Sequence, residues 1–115
     1  MASTDIKFGV SKVIITYDLS NNDISAQEIA EASNGVFKTY TIMQNGSLYK
    51  LPNTTLETSE IFSAKGAVIA FKQAFAVAKQ NKKVFSYCRI SRILACEILN
   101  KQGYIENNWL DIAQI

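Results

Sequence analysis

The residue best placed to do chemistry is Asp18. It closes the apolar run Val13 to Leu19 and precedes a turn-forming cluster, Ser20, Asn21, Asn22 and Asp23. A carboxylate where a strand gives out is held firmly and still reaches solvent. That position suits a metal-binding acid, and it suits equally an acid that opens a turn. The second candidate set is basic. From Ile61 to Cys96 the chain carries Lys65, Lys72, Lys79, Lys82, Lys83, Arg89 and Arg92 and no acid, whereas residues 1–60 carry four lysines and seven acids. Such asymmetry, hidden in a net charge of only +2, points to a side that faces a polyanion. The plainer alternative is a solubilising face on one helix and one loop.

Absent residue types narrow the chemistry further. The 115-residue chain has no histidine, which removes His-based triads, His–Cys zinc sites and the commonest general base. A thiolate at Cys88, beside Arg89 and Arg92, would be activated at a helix N-terminus. The loop is too short to cradle an oxyanion, however, and Cys88 alternates with Val84, Ser86 and Ile90 as a buried strand residue does. Cys88 and Cys96 read as two reduced, buried thiols. No Walker loop, dinucleotide glycine motif or CxxC is present. Tyr40 and Tyr49, with Lys38 and Lys50, could stack bases on a sheet face, but cross-strand aromatics are more often structural.

The elements that must position these residues follow from periodicity. Val13 to Leu19 is the strongest part of a strand over residues 6–19, with apolar residues on both faces, as in a central strand covered on both sides. Ser25 with Glu28 is a capping box and Ile24 with Ile29 a hydrophobic staple, so a short helix starts there and stops at Asn34-Gly35. Val36 to Met43 alternates as one strand, Asn45-Gly46 turns a hairpin, and Ser47 to Leu51 returns before Pro52. Asn53 to Glu60 is polar and reads as a loop, with room for a short strand at Thr54–Leu56. Ser63 caps a longer helix from Ala64 to about Gln80 whose buried face is Val68, Phe71, Phe75 and Ala78. Lys65, Lys72 and Lys79 recur every seven residues, a stripe along the margin of that face at about 100° per residue. They can lie with stems on apolar surface, line a groove for phosphates, or both. Val84 to Ile90 reads as another strand. Ser91 is placed to cap a third helix carrying Ile93, Leu94, Ile98 and Leu99, stopped by Gly103, and an apolar tail follows.

Strand, helix, strand, strand, helix, strand is the split βαβ pattern. The expectation is therefore a single α+β domain, a ferredoxin-like βαββαβ antiparallel sheet with both helices on one face and a C-terminal helical extension. The open sheet face is left for a partner sheet or nucleic acid. No apolar run reaches the length of a membrane span and the first residues do not read as a signal peptide, so the expected location is cytoplasmic, with no membrane partner.

The first strand, VIITYDLS with Tyr17-Asp18 at its end, resembles the opening of the small-subunit family of CRISPR adaptation ("Cas-two") and its VapD-like endoribonuclease relatives. Lys50 to Glu57, KLPNTTLE, looks like the second half of the hairpin in small relatives. The resemblance implies a ferredoxin-like homodimer that engages DNA or RNA. In nuclease-active members the acid ending the first strand binds a divalent metal with its symmetry mate, so it implies Asp18 as catalytic residue and ligand of Mg²⁺ or Mn²⁺. The turn after Asp18 lacks the basic and aromatic residues that such a nuclease would carry. The rival expectation is a non-catalytic interaction protein, phage- or plasmid-borne and anti-CRISPR-like, that binds a protein partner through the basic surface.

Overall fold

The computed structural model describes residues 12–43, 45–83, 88–99 and 104–111; for residues 99 and 104–111 the backbone alone is described. Among the described residues seven strands and two helices follow in the order β1 (Lys12–Leu19), α1 (Ala26–Ala32), β2 (Phe37–Lys38), β3 (Tyr40–Ile42), β4 (Leu48–Lys50), β5 (Thr55–Thr58), α2 (Ala64–Lys82), β6 (Ile90–Leu99) and β7 (Tyr104–Asp111). Five strands form one sheet in the order β2-β5-β1-β6-β7, and β3 with β4 forms a separate two-stranded sheet. Every pairing is antiparallel. The class is α+β, two helices with an antiparallel sheet. Neither helix among the described residues is long and apolar enough to cross a membrane.

β1 is central, flanked by β5 and β6, as its β-branched sequence requires. Its alternation decides which face is covered. Val13, Ile15 and Tyr17 are buried with Ile29 of α1 and with Val68, Phe71 and Phe75 of α2 in one core. Thr16 and Asp18 on the opposite face are exposed. Both helices therefore lie on one side, and the expected cover on both faces of β1 is corrected. Ile14 is tolerated there half-buried because an antiparallel sheet can face water on one side.

The local signals at both helices hold. The Ser25 hydroxyl accepts the Glu28 N–H and the Glu28 carboxylate accepts the Ser25 N–H, the reciprocal capping box. Ile24 and Ile29 are both buried, and the chain leaves α1 through left-handed Asn34 (φ 56) and Gly35 (φ 88). Ser63 caps α2 through the Gly66 N–H. The α2 residues expected inside, Val68, Phe71, Phe75 and Ala78, are at most 2% exposed.

Two expectations are corrected. Val36 to Met43 is not one strand: β2 ends at Lys38, and after Thr39 the chain leaves the sheet to form the β3–β4 hairpin. The polar stretch read as a loop with room for a short strand at Thr54–Leu56 does carry a strand there, β5, which runs on to Thr58 and pairs with both β1 and β2. Its polar groups are satisfied in place. The Thr58 hydroxyl accepts the Val13 N–H at 3.0 Å and donates to the Glu60 carbonyl at 2.7 Å, and Glu57 pairs with Lys38 at 3.7 Å. The third helix and C-terminal helical extension do not form. Residues 90–99 are strand β6, along the free edge of β1, and β7 pairs with β6. The sequence ISRILACEIL carries apolar residues at both helical and strand spacings, so the unpaired backbone of β1 decides the outcome. Of the strand expected at Val84–Ile90, residues 84–87 lie outside the described residues, and Ile90 opens β6.

Candidate functional site

Asp18 and Arg92 are direct partners across β1 and β6. Arg92 Nε and Nη2 donate to Asp18 Oδ2 at 3.1 and 2.6 Å. Both side chains are open to water, 64% exposed for Arg92 and 53% for Asp18. The ladder slips by one residue beside them: Asp18 faces Arg92 while Leu19 faces Ile90. Ser91 is the extra residue of this bulge, and its hydroxyl donates to the Asp18 carbonyl at 3.2 Å. A bulge bends the strand and re-aims the adjoining side chains. Beyond it, Ser20 N–H donates to the Arg89 carbonyl at 2.8 Å and Arg89 N–H donates to the Ser20 hydroxyl at 2.9 Å. The end of β1 and the start of β6 are thus tied together. A shallow concavity of about 360 Å³ lies here, lined by Thr16, Tyr17, Asp18, Arg92 and Leu94.

Asp18 is the one carboxylate in that lining, and a guanidinium holds one of its oxygens. Among the described residues no group of three or more His, Cys, Asp or Glu could hold a metal ion. Within one chain Asp18 offers a single carboxylate, already paired with a guanidinium, whereas Mg²⁺ or Mn²⁺ takes several oxygen ligands. A second carboxylate would have to come from a second chain.

The basic residues are not one cluster. Lys65, Lys72, Lys79 and Lys82 ride on α2, in the helix layer, and the sheet stands between them and Arg92. Lys82 is committed to structure: its ammonium lies 3.1 Å from Glu28 Oε2 and donates to the Asp23 carbonyl at 2.6 Å. Lys79 Nζ sits 5.5 Å from the centroid of the Phe75 ring. Lys65 is exposed and Lys72 half-buried. Lys83 ends α2 in the left-handed conformation (φ 61), and Arg89 is exposed beside Ser20.

Cys88 is fully buried. Burial pushes its thiol above the ordinary value, and its Sγ lies 3.7 Å from the Asn21 carbonyl. That is the setting of a core thiol, protonated and packed. Tyr17, a strand aromatic in the sequence, packs its ring 4.7 Å from that of Phe71 and takes no part in base stacking. Tyr40 and Tyr49 are exposed on the hairpin; Tyr87 lies outside the described residues. Sequence reasoning missed two features. The Asp18–Arg92 pair was hidden because Arg92 was expected on a helix. The buried acid Glu97, whose Oε2 accepts the Ala64 N–H at 2.8 Å, was hidden for the same reason; the alternation Ile93, Ala95, Glu97 was its one signal. The chain matches no family model, no curated protein and no solved structure.

Proposed function

We propose that this chain is a ferredoxin-like protein that binds nucleic acid along α2 without cutting it. The fold reading is supported by the strand order β2-β5-β1-β6. That is the βαββαβ arrangement once β3–β4 is taken as an insertion between its second and third strands and β7 as an added edge. The binding reading is carried by one observation. α2 has 19 residues, four of them lysines, and no carboxylate. Lys65, Lys72 and Lys79 recur along it at steps of roughly 10 Å. A stripe of ammonium groups on a rigid rod contacts phosphates without reading bases. Arg92, paired with exposed Asp18 on the other side of the sheet, is not part of this stripe and would be a separate phosphate contact.

The test is fluorescence anisotropy with labelled single- and double-stranded DNA and RNA over a salt series. Binding should weaken steeply with salt, and Lys65→Ala with Lys72→Ala and Lys79→Ala should lower the salt slope by about 2–3 and weaken binding at least about tenfold. Salt-insensitive or absent binding would overturn the reading in favour of a protein partner. The nuclease version, with Asp18 as ligand of Mg²⁺ or Mn²⁺, is checked in the same series. Metal-dependent cleavage that disappears in Asp18→Ala would replace binding with catalysis.

A further inference from the structure

The end of β1 and the start of β6 carry two guanidiniums and one carboxylate. Arg92 directs both Nε and Nη2 at a single oxygen of Asp18, Oδ2, at 3.1 and 2.6 Å. A guanidinium fork fits its anion best when each N–H meets an oxygen of its own, in two parallel bonds. Among the described residues Asp18 Oδ1 accepts no hydrogen bond and Arg92 Nη1 donates none. The pair is open to water, so it is screened and readily exchanged for another anion. Arg89 is exposed and makes no ion pair among the described residues. It stands three residues before Arg92, so their Cα atoms are at most about 10 Å apart and one anion lies within reach of both. The main chain beneath them is already fixed. Ser91 bulges and donates to the Asp18 carbonyl, and Ser20 and Arg89 exchange two hydrogen bonds.

We infer that this corner binds the phosphoryl group of a phosphate monoester, and that the Asp18 carboxylate is an internal competitor which the ligand displaces from Arg92. Charge and oxygen count select the ligand. A tethered carboxylate acts at an effective concentration in the millimolar range, so a free monoanion gains little by replacing it. A phosphate monoester carries about −1.5 to −2 charges at neutral pH and three strong acceptor oxygens. Two of them can take the Arg92 fork in parallel bonds and leave the third for Arg89. The concavity of about 360 Å³ continues from the pair to exposed Thr16 and half-buried Leu94. There the Thr16 hydroxyl is a further donor and Leu94 an apolar floor for the rest of the ester. Asp18 acts here in the sense opposite to a metal ligand, because its removal opens the site. The inference deepens the reading of Arg92 as a phosphate contact and rests on it; the α2 lysines take no part.

NMR of the full chain tests it in EDTA, reading the Arg92 Nε–H and the Ser91 amide. The probes are inorganic phosphate, a nucleoside monophosphate, and a short single strand with and without a terminal phosphate. The phosphorylated probes should shift both signals saturably, and chloride at matched ionic strength should not. Asp18→Asn keeps shape and an acceptor but removes the charge, and it should tighten phosphate binding about three- to tenfold. Arg92→Gln, alone or with Asp18→Asn, should abolish the shift of the Ser91 amide. Both side chains are exposed, so the Tm of each variant should match that of the wild type. Unchanged or weaker binding in Asp18→Asn, binding that survives Arg92→Gln, or no saturable shift in wild type and Asp18→Asn alike would overturn the proposal. So would phosphate binding that needs added Mg²⁺ and is lost in Asp18→Asn, which would make Asp18 a metal ligand. Whichever phosphorylated probe binds most tightly gives the source of the phosphoryl group. Every variant keeps the α2 lysines, so failure here leaves the nucleic-acid reading of α2 standing.

Discussion

Glu97 Oε2, on β6, accepts the N–H of Ala64 in the first turn of α2 at 2.8 Å, joining positions 33 residues apart. The side chain is buried at 5% exposure, beside a helix start that has no acidic residue of its own. A carboxylate at a helix N-terminus meets both the unsatisfied N–H groups and the positive end of the dipole. Glu97→Ala should therefore cost about 1–3 kcal/mol, because it strands a buried donor. Glu97→Gln, which keeps an acceptor, should cost about 1 kcal/mol or less. Thermal unfolding of both variants checks the order; equal losses would show that the carbonyl acceptor is not what matters.

The Asp18–Arg92 pair should behave in the opposite way. Both groups are more than half exposed, so water and salt screen them. A double-mutant cycle with Asp18→Ala and Arg92→Ala should return a coupling of about 1 kcal/mol or less, falling with added salt. A coupling several times larger would mean that the pair is a structural anchor and not a surface available to an incoming phosphate.

Tyr17 adds to an alkaline loss of stability that the thiols of buried Cys88 and half-buried Cys96, also held above their ordinary value, begin at lower pH. Its ring is buried, and among the described residues its hydroxyl has no hydrogen-bond partner. Burial, with a smaller contribution from Cys88, holds its folded pKa above the ordinary tyrosine value. In the unfolded chain the phenol ionises near about pH 10. The stability linked to this group is therefore full below that value and is lost as pH rises toward the higher folded value. Tyr17→Phe removes both the unpaired hydroxyl and the titration. It should be neutral or stabilising by about 1 kcal/mol at neutral pH and should flatten the fall in stability above about pH 10. Urea unfolding at neutral and alkaline pH compares them.

Glu28 sets a weaker acid limit. The Ser25 N–H it accepts, with Lys82 beside it, holds its pKa below the ordinary glutamate value. Its contribution is present above about pH 4.3 and is lost as pH falls through the lower folded value. Glu28→Ala breaks the capping box and the tie to Lys82 together, and it should cost about 0.5–2 kcal/mol at neutral pH and much less at low pH. A loss that does not shrink on acidification would point to packing and not to charge.

What was legible in the chain was local. The capping box at Ser25 and Glu28, the glycine stops, the Ser63 cap, the inward face of α2 and the turn at Asn45-Gly46 each depend on residues within a turn or two of one another. The split βαβ order could be read because helix and hairpin signals punctuate it. The Asp18–Arg92 site was legible by half: Asp18 stood out at the end of β1, while its partner was expected on a helix.

The amino-acid sequence by itself determined the central strand β1, both helices, the absence of histidine chemistry and the acid-free basic segment. Those are matters of composition and short-range hydrogen bonding. Only the tertiary structure decided that residues 90–99 extend, that β5 is a strand, and that β3–β4 stands apart. The physical reason is the same in each case. A strand's main-chain groups find partners across the sheet, and β1 offers an edge on each side that the chain must fill. Polar or ambiguous residues are accepted there when long-range partners satisfy them, as Val13 and Glu60 do for Thr58, Lys38 for Glu57 and Ala64 for Glu97. The contacts of Thr58 with Val13, Glu97 with Ala64 and Glu57 with Lys38 are closed only by the fold, whereas Glu60 lies two residues from Thr58.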